Sequence, residues 1–350
     1  MGSSQITEGA ENAGVSAGET SSAVSVPPFR PHRLLRGGHV QTLASFVLPR
    51  HIHLPPAEER LVEVAAGVRV RCLCHWLAPA EHRSERLTLI VVHGLEGSDR
   101  SQYMLGIANK GLAAGMNVVL MNQRNCGGMN HGAPTLYNSS LSGDVAAVVR
   151  HLIEHDGISR FALSGFSMGG NLVLKLAGEW GQQAPAQLRA VAACCPALDL
   201  AASADALHEP ANRIYETYFL WALRRRMHHK ARLFPGHFDV GRMRRMRSLR
   251  EFDDRITAYY CGFSGVDDYY DRASAAHVVG RIAVPALIVH AADDPFIRIT
   301  PETRRKITAN PNLTFRETAH GGHCAFVGAR NGLDDGYWAE SQIVIFLRGF

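Results

Sequence analysis

From about residue 60 onward, short apolar runs alternate with stretches of helical periodicity. Residues 61–77 alternate apolar and polar positions around Gly67, which predicts an antiparallel hairpin. Leu87-Thr88-Leu89-Ile90-Val91-Val92 is almost continuously apolar, as a strand buried on both faces must be. A helix over 101–114, stopped by Gly115, and a strand over 118–121 follow. Val145, Val148, Val149, Leu152 and Ile153 repeat at helical spacing and predict one apolar stripe. Strands are expected at 161–163, 190–195, 286–289 and 313–317, with helices over 172–180 and 337–347. This rhythm predicts an α/β fold with a mostly parallel sheet and helices on both faces. Residues from about 200 to 280 carry no strand pattern. They read as a helical cap insertion over the sheet's carboxyl edge, where open α/β sheets bind ligands.

Composition narrows the picture. Of 350 residues, 46% are hydrophobic and 20% charged, enough apolar material for one large core. Residues 1–25 are Gly, Ser, Ala, Thr and Glu with little to bury, so they are expected to be a disordered tail, with a single domain over 26–350. The tail lacks a signal peptide's basic and apolar regions, and Ile6 breaks a myristoylation motif. No apolar run reaches the roughly 18 residues of a membrane span, so the cytoplasm is the expected location. Seven scattered cysteines, mostly in apolar runs, fit buried thiols in a reducing compartment. Cys72, Cys74 and His75 have no second ligand pair at zinc-site spacing, and neither a metal nor a cofactor is expected. The net charge of +5 comes without interleaved basic and aromatic platforms, which argues against nucleic-acid binding.

Four motifs fall at predicted strand ends. Gly165-Phe166-Ser167-Met168-Gly169 matches the G-x-S-x-G nucleophile elbow, between a predicted strand and a predicted helix. The chemistry needs a serine on a sharp turn with its Oγ clear of the backbone. His93-Gly94-Leu95-Glu96-Gly97 follows the buried strand, where the fold supplies one oxyanion N–H. The expected oxyanion donors are Leu95 and the residue after the nucleophile, Met168. Asp293 and Asp294 compete as the acid after 286–289, and His320-Gly321-Gly322-His323 offers the base after the last strand. The order Ser, Asp, His is the one this fold uses.

At these residues the chain resembles the α/β-hydrolase superfamily, and within it the YheT-like branch of esterases and lipases. The resemblance runs from about Phe29 to the C-terminus. It also rests on Leu35-Arg36-Gly37-Gly38-His39-Val40-Gln41-Thr42, Arg124-Asn125-Cys126-Gly127-Gly128, Phe252-Asp253-Asp254 and Asp268-Tyr269-Tyr270. It implies a triad of Ser167, Asp294 and His323, and hydrolysis of carboxylic esters with short- to medium-chain or lipid-like acyl groups. Some relatives pass the acyl group to an alcohol, so a small-alcohol acyltransferase is the alternative. A non-catalytic binder would be expected to have lost the nucleophile or base, and both are present. The Leu35–Thr42 signature suggests no chemistry of its own, and His39 reads as a structural contact.

Two further expectations concern the cap and the base. Ile214, Tyr218, Phe219 and Trp221 read either as the face that packs a cap helix onto the core or as an acyl-binding stripe. The basic end at Arg224-Arg225-Arg226, extended by Arg242, Arg244, Arg245 and Arg247, reads as a solvated face, a protein contact or a transient contact with a membrane surface. The base should titrate near ordinary imidazole, at roughly 6 to 7. Oligomeric state is not legible.

Overall fold

A computed structural model describes residues 28–330 and 335–350 of the chain; the expected tail lies outside the described residues. A helix comes first, α1 (Gly38–Val47), then the hairpin β1 (Glu58–Ala65) and β2 (Val68–His75), turning at Gly67 as the alternation predicts. The alternating core follows: β3 (Thr88–Val92), α2 (Gln102–Ala113), β4 (Asn117–Met121), α3 (Ser142–Asp156), β5 (Phe161–Phe166), α4 (Met168–Trp180) and β6 (Leu188–Cys194). Next come only helices: α5 (Leu200–Leu207), the long α6 (Arg213–Leu233), α7 (Leu249–Phe252), which runs through a π turn into α8 (Tyr259–Cys261), and α9 (Val266–Ala273). The chain then returns to the sheet with β7 (Ala286–Ala291), α10 (Pro301–Ala309), β8 (Leu313–Thr318) and α11 (Trp338–Leu347).

The eight strands form one sheet in the order β1-β2-β4-β3-β5-β6-β7-β8. Only the β1–β2 and β2–β4 ladders are antiparallel; the rest of the sheet is parallel. The near-continuous apolar run of β3 serves two layers at once. Ile90 and Val92 pack with α3 and α4 on one face, and Leu89 and Val91 with α2 and α11 on the other. The chain therefore has the α/β-hydrolase fold, a mostly parallel sheet with helices on both faces. No described helix is long and apolar enough to cross a membrane.

The helices between β6 and β7 close over the carboxyl ends of the central strands. Their own core is Leu220, Leu223 and Met227 of α6 against Phe238, Met243, Met246, Phe252 and Ile256. Two helices that periodicity did not predict, α1 and α10, carry few buried apolar residues. α10 is announced instead by Thr300, whose Oγ1 accepts the Thr303 N–H, and by Pro301 in its first turn.

Candidate active site

Ser167 stands between β5 and α4 with φ 54° and ψ −119°, a conformation that side chains other than glycine rarely adopt. The surroundings hold it there. Its N–H donates to Cys194 O (2.9 Å) and its carbonyl accepts the Asn171 N–H (3.0 Å), tying the turn to β6 and α4. Gly169 is dictated by close approach, since a Cβ there would lie 2.2 Å from Val92 O.

The loop after β3 lies directly beside this turn. The Gly94 N–H donates to Tyr103 Oη and the Glu96 N–H to Tyr137 Oη, each at 3.0 Å. Among the described residues no acceptor takes the intervening Leu95 N–H, nor that of Met168 at the start of α4. Glu96 has φ 56° and is clamped from the cap. Arg226 donates from Nε to Glu96 Oε1 (2.7 Å), from Nη2 to Oε2 (3.3 Å), and from Nη1 to Asn125 O (2.7 Å). Tyr137 Oη also donates to Glu96 Oε1, at 2.6 Å. Sequence reasoning missed Arg226 because its side chain is indistinguishable from its two arginine neighbours until α6 is oriented.

Asp294 and His323 are brought together by the turns after β7 and β8. His323 Nδ1 is 2.8 Å from Asp294 Oδ2, with both side chains buried. The other carboxylate oxygen, Oδ1, accepts the N–H groups of Phe296 (3.1 Å) and Ile297 (2.9 Å). Burial alone would push the His323 pKa down, but the adjacent Asp294 carboxylate outweighs it and holds the imidazole above its ordinary value. Burial likewise works to raise Asp294, yet the facing imidazolium holds its pKa below the usual carboxylate value. The expectation of an ordinary imidazole is therefore corrected upward. The other two candidates pair separately: His320 Nδ1 lies 3.1 Å from Asp293 Oδ2 at a more exposed position, while Asp293 Oδ1 accepts the Gly322 N–H (2.9 Å).

Ser167 and His323 line one cavity, together with Cys324, whose Sγ is 3.8 Å from His323 Nε2. Among the described residues no hydrogen bond joins Ser167 Oγ to His323, a contact that is often long until substrate binds. The sulfurs of Cys194, Cys195 and Cys324 lie within 4.8 Å of one another, as do ligand atoms of Cys195, His290 and Asp294. Burial pushes all three thiols up, disfavouring the thiolates a metal would need.

The Leu35–Thr42 signature turns out to brace the histidine loop. Thr42 Oγ1 accepts the His323 N–H (2.9 Å). Gln41 donates to Val327 O (3.0 Å) and accepts the Val327 N–H (2.7 Å). A Cβ on Gly38 would fall 1.7 Å from Asp293 O, so α1 can approach only through a glycine. His39 Nδ1 meets Tyr215 Oη at 3.1 Å. The signal available in the sequence was the polar Gln41-Thr42 pair between Val40 and Leu43; both are buried while these apolar neighbours face out.

Two cavities meet at Ser167. The inner one lies under the cap and is walled by Leu95, Leu200, Leu207, Phe219, Leu223, Phe252 and Ile297; the outer one runs past Phe46, Tyr218 and His323. Leu95, Ser167 and Phe219 border both. The acyl-binding reading of the stripe holds only for Phe219, and is corrected for the other three residues. Ile214, Tyr218 and Trp221 are 60%, 50% and 57% exposed and face away from the inner cavity. Positions 214, 218 and 221 share one helix face; Phe219, Leu223 and Met227, four residues apart, form the inward one.

With this geometry in view, comparison with known proteins defines the class. The pattern of the α/β-hydrolase fold family matches residues 88–329, and the chain belongs to that family. YheT of Escherichia coli (strain K12), an esterase by name, is 31% identical over 319 residues, covering 90% of this chain and 91% of that protein. Phospholipase ABHD3 of Bos taurus is 30% identical over 248 residues, 70% of this chain but only 59% of that protein's length. Among solved structures, an esterase from Pyrococcus furiosus superimposes with a TM-score of 0.53 at 13% identity, covering 86% of this chain and 98% of that one, a likeness of fold.

Proposed function

We propose that the chain is a serine hydrolase of carboxylic esters that works through an acyl-enzyme on Ser167. The observation that carries this reading is the buried Asp294–His323 pair, opening on the same cavity as a serine in a strained turn. Neutral His323 takes the Ser167 proton as Oγ attacks the ester carbonyl. Asp294 holds the tautomer with the proton on Nδ1 and stabilises the imidazolium that forms. The developing oxyanion is met by the N–H groups of Leu95 and Met168, which have no competing acceptor among the described residues. His323 then returns its proton to the departing alcohol, and water, activated by the same base, releases the acid.

The inner cavity suits the acyl group, because its wall beside Ser167 is mostly apolar, and the outer cavity suits the alcohol. Short- to medium-chain or lipid-like esters fit that division, and the name of the phospholipase relative points the same way. An alcohol in the outer cavity could also accept the acyl group in place of water; product analysis with added alcohol separates transfer from hydrolysis. Nothing in this chemistry calls for a metal or cofactor, and the cytoplasm is the proposed location. The test is labelling with a fluorophosphonate. Ser167 is the expected single site, and Ser167→Ala should lose both labelling and esterase activity by several orders of magnitude. An alanine variant with full activity would overturn the proposal.

A further inference from the structure

The apolar side chains that turn away from the inner cavity form a surface of their own. On α6, Ile214, Tyr218, Trp221 and Arg225 fall on one face, at steps of four, three and four residues. Beside it lies α1, whose outward face carries Val40, Leu43, Phe46 and Val47. Phe46 is 60% exposed and Val47 77% exposed, values ordinarily found for charged side chains. The two faces are continuous. The Phe46 ring meets the Tyr218 ring at 6.4 Å between centroids, Tyr218 meets Trp221 at 6.5 Å, and His39 stacks on Tyr215 at 5.7 Å. An exposed apolar ridge spanning two helices marks an interaction site.

Its charge indicates the partner. Between Pro28 and Ala57 there is no Asp or Glu, while Arg30, Arg33 and Arg36 are present and exposed. Along α6 the sole carboxylate is Glu216, which is buried. Arg225 and Arg232 are exposed, and the Arg225 guanidinium lies 5.6 Å from the Trp221 ring centroid. Aromatic and aliphatic side chains rimmed by arginines, with the neighbouring Glu96 carboxylate already paired to Arg226, suit an interface of acyl chains beneath anionic headgroups. The position is also telling, because Phe46 and Tyr218 wall the outer cavity that leads to Ser167.

We propose that the α1–α6 ridge docks on an anionic lipid surface and turns the outer cavity mouth toward it. Apolar residues enter the boundary between headgroups and chains while the arginines remain at headgroup level. No spanning helix is needed for such reversible contact. Because vesicle binding is read without turnover, its failure is distinguishable from failure of the ester reading.

The experiment is flotation of the full chain with phosphatidylcholine vesicles, with and without phosphatidylglycerol. The chain should float with the anionic vesicles and release at high salt. The double variant Val47→Glu/Trp221→Glu should bind roughly tenfold more weakly or worse. Arg225→Glu/Arg232→Glu should lose the preference for phosphatidylglycerol. Both variants should hydrolyse a soluble short-chain ester at the wild-type rate, which controls for folding. Wild-type chain that stays with the unbound fraction overturns the proposal, as does equal binding by the variants. Sedimentation showing a dimer that Val47→Glu/Trp221→Glu dissociates would assign the ridge to a second copy instead.

Discussion

The carboxyl edge of the sheet and the cap above it face the same serine, yet they are built on different terms. At the edge, Ser167, Leu95, Asp294 and His323 each stand within a few residues of the end of a parallel strand. Strand pairing sets where those ends fall, and short turns aim the side chains. In the cap, position along the chain says little, because a helix of 21 residues presents every direction in turn and only docking decides which face looks inward. Phe219 lines both cavities while Tyr218, one residue away, is half exposed. Changes at the edge should therefore alter rate, and changes in the cap should alter selectivity or docking. Arg226 is the exception that joins the two.

The sharpest way to break this division lies at the edge. Asp294→Asn should lower kcat by roughly four orders of magnitude through the wrong imidazole tautomer. Asp293→Asn should cost far less, because Asp293 supports the loop through the Gly322 N–H and pairs with exposed His320. Steady-state kinetics of the two variants would reverse if the register were off by one residue.

Next is pH. The proposed base must be neutral, and Asp294 holds the His323 pKa above its ordinary 6.5. The kcat/KM value should thus fall about tenfold per unit below an apparent pKa on the alkaline side of ordinary imidazole. Residual activity of Asp294→Asn should titrate lower, since the raising charge is gone. A flat profile from about pH 5 to 9 would count against a histidine base.

Arg226 tests the join. Loss of its clamp on Glu96 should free the loop that presents the Leu95 N–H, so Arg226→Ala should lower kcat by roughly ten- to a hundredfold with KM little changed. Arg226→Lys should recover part of it. If KM moves instead, the arginine serves substrate binding or cap packing, and the proposed oxyanion loop stands without it.

The smallest effect belongs to the cap wall. Each methylene buried in the inner cavity contributes about 0.8 kcal/mol, so kcat/KM should climb up to roughly fourfold per added methylene until the cavity is full. Phe219→Ala should flatten that series. Trp221→Ala, whose ring faces outward, should leave it intact; the opposite result would restore the stripe expected from the sequence.

By itself the sequence determined the sheet, its two helical layers and the serine elbow. Continuous apolar runs and fixed-period stripes are local patterns whose burial needs no knowledge of distant partners. It brought the acid and base down to two candidates each, because turns after strands are also local. Three things were decided only by tertiary structure: the bracing of the histidine loop by Gln41 and Thr42, the clamp of Arg226 on Glu96, and the outward turn of Trp221. The first two link residues 281, 286 and 130 positions apart in the chain. Such contacts form when elements dock, and a helix that can bury either of two faces gives no local sign of which it will choose.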